Sequence, residues 1–587
     1  MIRRMVSNRA VQILAVVVVL AAAAVAWLAY SALKVKGDLE SVRTDAGQAR
    51  TLMLDGDQAG ARAAAESAAA RAEDASERSH GLLWSAVAAV PALGSPLKSV
   101  QQMSDAVESL SADVLVPAAD LASVLDPDQL RTGNTVNLEL LRDAQPALQS
   151  VAEKSAAVAE QVSSINPSWL GVVADAKTQL ADQVDAADST VQATNIAAQL
   201  VPSMLGSTGP RNYFMAFQTP SEARGTGGLV GGFAVLRAAD GRVTIPELGA
   251  NSEFRDPATP TINLGPEYDA IYSYYKPYTD FRNGNLSADF TDAAQIWIAN
   301  WRAQTGQRLD GAIALDPIAL KYVLEVVGTV TLPDGEKITA DNVVPITLST
   351  AYQRYATDNE ARKDYLQNIS GAVVKKLITS GGSTRKLLEA LGRGVHERRI
   401  MVYSTTGEEQ KILETTNLGH QISDTTSPYL QVAIGNASGT KLDYYLRRDI
   451  SYTSGPCTGD TRESTITVKL TNTLDTTDLT DYVAGGLGTD LSVNKGTNLA
   501  NVEFLTTKGA VLKEMTLGEG GAFYVEQTLH DRPYYSTRVG IPPGQTVTIT
   551  LKIDEPTTAK GEAEVPIQPL VDDPTVKVDV PACGAED

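Results

Sequence analysis

Apolar residues along the 587-residue chain follow four successive patterns. The first is an unbroken run. No charged residue occurs from Ala10 to Leu33, with Arg3, Arg4 and Arg9 before the run and Lys34 and Lys36 after it. A helix of about 20 apolar residues crosses a bilayer, so this run predicts one transmembrane helix. Trp27 and Tyr30 near its far end suit a membrane interface, and the early arginines predict a cytoplasmic N-terminus with the bulk of the chain extracytoplasmic. A signal-peptide core is shorter, roughly 7–15 residues. Residues 1–36 therefore read as an uncleaved single-pass anchor in the cell membrane.

The second pattern, over residues 37–205, places apolar residues three and four apart among strong helix formers, as in "QAGARAAAESAAARAEDASERS". Breaks fall at "VPALGSP", "LDPDQLRTGN" and "INPSW". This predicts an all-α bundle of three or four long helices, a stalk without catalytic groups. From "GSTGPRNYFMAFQ" onward strands interleave with helices. Residues 206–400 carry a strand at Tyr213–Gln218, a hairpin around Asp240-Gly241, and helical periods at Phe290–Gln304, Pro317–Val327 and Asn359–Ile378. That alternation predicts an α/β domain with a helix-covered sheet. Residues 401–587 read as short strands between polar turns, an all-β sandwich of immunoglobulin-like type.

The formal net charge of −20 excludes general binding to nucleic acid or anionic lipid. One segment runs against it. Between Gln353 and Arg399 ten basic residues face five acidic ones, which marks either an anion site or a solvated helix face. The two cysteines, Cys457 and Cys583, predict a disulfide closing a long loop, worth about 4–5 kcal/mol in the chain-entropy description.

Common catalytic motifs fail. The stretch "SEARGTGGLVGGF" has Gly225 and Gly227 but Val230 where a dinucleotide fingerprint needs its third glycine, and no Gly-Lys pair exists for a P-loop. Four scattered histidines and two cysteines offer no ordinary zinc site. Ser383 and Lys386 satisfy Ser-x-x-Lys without a downstream Lys-Thr-Gly. An arginine-led set remains. Arg224 opens the loop of Gly225, Thr226, Gly227 and Gly228, whose amides could face an anion, the alternative being that the glycines serve only tight architecture. Arg255 and Asp256 follow the hairpin. Arg362 lies four residues before Leu366 on the stripe continued by Ile369, Val373 and Leu377, which turns it inward with Lys363 beside it. The plainer alternative pairs each arginine with a local acid, Arg362 with Asp358 or Glu360.

Three blocks carry a resemblance: "NYFMAFQTPSEARGTGGLVGGFAVLRAADGRV", "LDGAIALDPIALKYVLEVVGTVTLPDGEKITADNV" and "NASGTKLDYYLRRDI". Together they resemble the domain of unknown function 4012 family, found in envelope proteins of Gram-positive bacteria and without an established activity. More distantly the middle domain is similar to the LytR-CpsA-Psr phosphotransferases, which move glycopolymers from polyprenyl-pyrophosphate carriers with arginines on the pyrophosphate and aspartates on a divalent metal. That likeness implies phosphate-binding roles for Arg224, Arg255 and Arg362, a metal or orienting role for Asp256, and Gly328 at a glycine turn. The departures are Thr226 where an acidic metal ligand should stand, Lys363 for a glutamine, and Asn359 for an upstream arginine. Hard cations favour carboxylate oxygen, so the magnesium half of the likeness is the weaker.

The sequence thus predicts a membrane-anchored envelope protein. Its α/β domain would bind, and in the enzyme reading transfer, a polyprenyl-phosphate-linked glycan or another phosphate-bearing wall intermediate. Lipid-linked glycan, peptidoglycan and other envelope proteins are the expected partners. The alternative is a non-catalytic scaffold with a degenerate phosphotransferase-like domain.

Overall fold

The computed structural model describes residues 2–583 except 92–93, 123–125, 127–128, 380–382 and 486–492, and for residues 2–22 the backbone alone. The chain divides into two compact units, Met1–Thr208 and Gly209–Asp587.

The first unit is helical. Its long helices are α1 (Ile2–Leu54), α2 (Gln58–Ser79), α4 (Ser95–Ser109), α6 (Leu138–Ser163) and α7 (Gly171–Met204), with short α3 (Leu82–Ala88) and α5 (Val116–Asp120) between them. A π-turn at Leu110–Leu115 joins α4 to α5. Asp57 and Asn137 cap α2 and α6 by accepting from Gly60 N and Leu140 N. Ala61, Ala65, Ala68, Ala72 and Ala75 line one face of α2 and are fully buried, so α1 and α2 approach closely.

The expected membrane anchor is corrected here. Among the described residues no helix is long and apolar enough to cross a membrane. The single-pass assignment over Ala10–Leu33, and the membrane localisation resting on it, therefore fall, while the side chains of its first half lie outside the described residues. The physical reason is visible in the second half of α1. The helix continues unbroken through Lys34, Lys36, Asp38 and Glu40, and buries Val35, Val42, Ala49 and Met53 at seven- and four-residue spacing. That stripe is the packing face of a bundle helix.

The second unit joins a mixed sheet to a two-sheet sandwich. The mixed sheet contains β1 (Arg211–Arg224), β2 (Gly227–Ala239), β3 (Arg242–Ala250), β4 (Gly311–Leu315) and β5 (Ile400–Ser404), in the order β3-β2-β1-β4-β5. Only the β1–β4 pair is parallel, with Tyr213 opposite Gly311. Asp240 and Gly241 both adopt positive φ, 48° and 77°, and close the β2–β3 hairpin. Between the strands run α8 (Pro266–Tyr272), α9 (Phe290–Thr305), α10 (Pro317–Val327), α11 (Asn359–Thr379) and α12 (Thr384–His396), followed after β5 by α13 (Gly407–Glu414). Successive strand residues face opposite sides. Phe233 enters an aromatic core with Phe214, Phe254, Trp297 and Trp301, while Gly232 faces Gln367 of α11.

The sandwich has a four-stranded sheet, β6 (Leu430–Asn436), β9 (Asn498–Thr506), β12 (Arg532–Ile541) and β11 (Val525–Leu529), in that order. The second sheet runs from the two-residue strand Gly520–Gly521 through β10 (Val511–Leu517), β13 (Thr546–Pro556), β8 (Thr461–Asn472) and β7 (Leu446–Ser454) to β14 (Thr575–Asp579). Val432, Ile450, Val468, Val502, Phe504 and Leu551 fill the space between them. Ala223, near the end of β1, belongs to that same core, so the mixed sheet runs directly into the sandwich. Cys457 and Cys583 form the disulfide, 126 residues apart, and tie the segment after β14 to the loop between β7 and β8.

Candidate functional site

β1 and β2 are long strands whose shared turn is wholly enclosed. Every residue from Pro220 to Gly228 is buried. A Cβ at Gly225 would overlap the backbone of Leu286 and Ser287, and one at Gly228 would overlap the backbone of Thr219. Gly227 has φ 131° and sits against Pro569 O. Several of the turn's polar atoms are taken up internally, while Ser221 Oγ is buried without a partner. Gln218 accepts from Thr226 Oγ1 at 2.9 Å and Gly228 N at 3.1 Å, and Asn285 Nδ2 donates to Thr226 Oγ1 and Gly228 O, each at 2.9 Å. The expectation of an open cradle at Gly225, Thr226, Gly227 and Gly228 is not met. The glycines serve close backbone approach.

Arg224 is 7 % exposed and has its own acid: Nη2 donates to Glu222 at 3.1 Å, Nη1 to Ala223 O at 2.9 Å and Nε to Arg282 O at 3.3 Å. Glu222 also pairs with Lys441, which is buried in the sandwich-side turn after β6. Burial alone would raise the Glu222 carboxyl. The Lys441 and Arg224 charges override it and hold the group below its usual range. Burial would likewise lower Lys441, and the Glu222 charge raises it instead. Next to this pair, Asp443 accepts from Ala223 N at 2.8 Å, Asn436 Nδ2 at 2.7 Å and Asn498 Nδ2 at 2.8 Å. Gln568 Nε2 donates to Arg224 O at 2.8 Å.

Arg362 starts α11 and is 2 % exposed, inward as its spacing predicts. Its partners are not Asp358 or Glu360. Nη1 donates to Tyr355 O at 3.1 Å and Nη2 to Asn359 Oδ1 at 2.5 Å. Its guanidinium lies 4.1 Å from the Tyr482 ring and 5.3 Å from the Tyr352 ring, and Lys441 Nζ lies 5.1 and 5.3 Å from Tyr352 and Tyr482. The two rings are stacked, 5.9 Å between centroids. Cation–π attraction strengthens when desolvated, so this ring pair links Arg362 to the Lys441–Glu222–Arg224 chain.

Arg255 does not join them. It is exposed, and its backbone N donates to Gln304 Oε1 at 2.8 Å. Asp256 is exposed and accepts from Phe281 N at 3.3 Å. Among the described residues no group of three His, Cys, Asp or Glu side chains could hold a metal, so Asp256 belongs to no such group. Lys363 is half-buried, and its ammonium is pushed down by burial and then by the Arg362 and Arg282 charges. Arg282, 67 % exposed at the side chain, pairs with Asp280 at 2.7 Å. The groups not foreseen from sequence are Glu222, Lys441, Asp443, Tyr352, Tyr482 and Arg282. Glu222 stands two residues from Arg224, the one local hint.

Residues 208–352 match the family described as Protein of unknown function (DUF4012), and over that region the chain is similar to it. No curated protein and no solved structure matches. The matched region holds β1 to β4, Arg224, Arg255 and Asp256, and ends at Tyr352, before Arg362 and Lys441.

Proposed function

We propose that residues 209–587 act as a non-catalytic scaffold, in which two of the arginines expected at a phosphotransferase centre, Arg224 and Arg362, lock the mixed sheet to the sandwich. One observation carries this reading: Arg224 and Lys441 converge on a single buried carboxylate, Glu222, and leave no open face for a diphosphate. A buried ion pair that loses one member leaves an uncompensated charge, at about 3–5 kcal/mol. Arg224 therefore belongs to stability before chemistry. The test is equilibrium binding of farnesyl diphosphate with Mg2+ to the full chain and to Arg224→Ala. The scaffold reading predicts no saturable site at Arg224 and a lowered Tm for the variant. Saturable binding lost in Arg224→Ala at unchanged Tm would overturn it.

A second reading keeps a phosphate-bearing ligand, such as a lipid-linked glycan, at the surface of Lys363 and Arg282. The Lys363 ammonium is pushed down first by burial and then by the Arg362 and Arg282 charges, and an anion beside it would relieve that cost. Lys363→Ala would remove such binding without the stability loss of Arg224→Ala.

A further inference from the structure

We infer that the open edge of the sandwich at Val525–Leu529 is a strand-addition site for an extended protein segment that alternates apolar and basic residues. β11 is the last strand of its sheet and pairs only with β12 among the described residues. The hydrogen-bond phase of that pair fixes what the edge offers. Leu529 and Arg532 close a two-residue turn in which His530 and Asp531 both have positive φ, 53° and 57°, the hairpin geometry whose closing pair exchanges hydrogen bonds. Bonded and non-bonded pairs alternate, so Gln527–Tyr534 and Val525–Ser536 bond, while Glu526–Tyr535 and Thr528–Pro533 do not. Pro533, which has no N–H, falls in the phase that needs none. The backbone N–H and C=O of Glu526 and Thr528 therefore face away from β12.

Natural sheets guard such edges with lysine, proline or a bulge. The strand VEQTL has neither lysine nor proline, and its register with β12 is unbroken. The chain entering it exposes consecutive apolar side chains: Phe523 at 99 %, Tyr524 at 44 % and Val525 at 55 %. Exposed apolar clusters of this kind mark interaction sites. Charge selects the occupant. Glu519 and Glu526 are exposed and have no ion-pair partner among the described residues, whereas the nearby Lys513 and Lys552 are taken by Asp554 and Glu514. An added strand that carries basic residues on alternate positions meets those carboxylates and lays its apolar positions beside Phe523 and Val525. This goes beyond the scaffold reading and does not depend on the fate of the arginine cluster.

The probe is a seven-residue peptide alternating valine and lysine, titrated into the full chain with amide exchange read at Glu526 and Thr528. Saturable binding with added protection at both amides is expected. Glu526→Pro, which removes an outward N–H, weakens it at least tenfold, and Phe523→Ser, at a side chain with no packing role in the fold, does the same. Glu526→Gln weakens it severalfold. A valine–glutamate peptide binding equally well, or Phe523→Ser binding like the parent, would overturn the inference. Concentration-dependent self-association that Glu526→Pro abolishes would assign the edge to a second copy and overturn it as well.

Discussion

The β1–β2 turn and the β10–β11 connection are both glycine-bearing reversals within one unit, yet Pro220 to Gly228 are all buried while Phe523 is 99 % exposed. In the first, a methyl group at Gly225 or Gly228 collides with backbone. In the second, Gly518 and Gly521 have nothing within 4 Å of a built Cβ. The consequence for polar groups is opposite too. Buried donors and acceptors must find partners inside the protein, and Glu222, Arg224 and Thr226 have done so. Glu519 and Glu526 have no ion-pair partner among the described residues. Chemistry-bearing residues in the closed turn are thereby committed to architecture, and free valence survives in the open one.

Three substitutions test that contrast. The largest effect is expected for Glu222→Ala, which leaves Lys441 and Arg224 buried without their acid and should destabilise by about 3–5 kcal/mol in urea titration. Gly225→Ala should cost about 3 kcal/mol, since backbone rather than a movable side chain stands in the way. Its counterpart Gly521→Ala should change stability by no more than about 0.5 kcal/mol. Equal costs at the two glycines would break the comparison.

Glu503 sharpens it by pH. This carboxyl, on β9, accepts from Tyr272 Oη at 3.1 Å and is pushed up to about 7 by burial. A folded-state value above the unfolded one means stability is full below the unfolded value and falls as pH rises toward 7. Glu503→Gln should match the parent at pH 4 and exceed it at pH 8, by at most about 3 kcal/mol. Glu222 has the opposite sign. Its stabilisation is present above the ordinary glutamate range and is lost on acidification, so Glu222→Gln should flatten the acid limb of the stability curve.

Local pattern made much of this molecule legible. The helical period over Pro317–Val327 is α10 residue for residue, and Asp316 caps it by accepting from Ala319 N. The four-residue step from Arg362 to Leu366 turned that arginine inward, as it stands. What pattern does not carry is pairing across distance. Glu222 and Lys441 are 219 residues apart, and no periodicity announces that they meet. Arg255 was grouped with Arg224 by order along the chain, but the 3-10 turn at Asn251–Glu253 leaves it exposed. The apolar run before Lys34 read as a membrane span because length and hydropathy were all that could be weighed. The stripe of Val35, Val42, Ala49 and Met53 that packs the same helix into a bundle begins just beyond it.

The most direct test of the central claim is a double-mutant cycle on Glu222 and Lys441, using Glu222→Gln, Lys441→Met and the pair, with unfolding free energies from urea titration. A joint that fastens the mixed sheet to the sandwich predicts a coupling above about 1.5 kcal/mol, with the double variant more stable than the sum of the two singles implies. A coupling below about 0.5 kcal/mol would mean that the two charges do not depend on each other, and the locking role assigned to Arg224 would be contradicted.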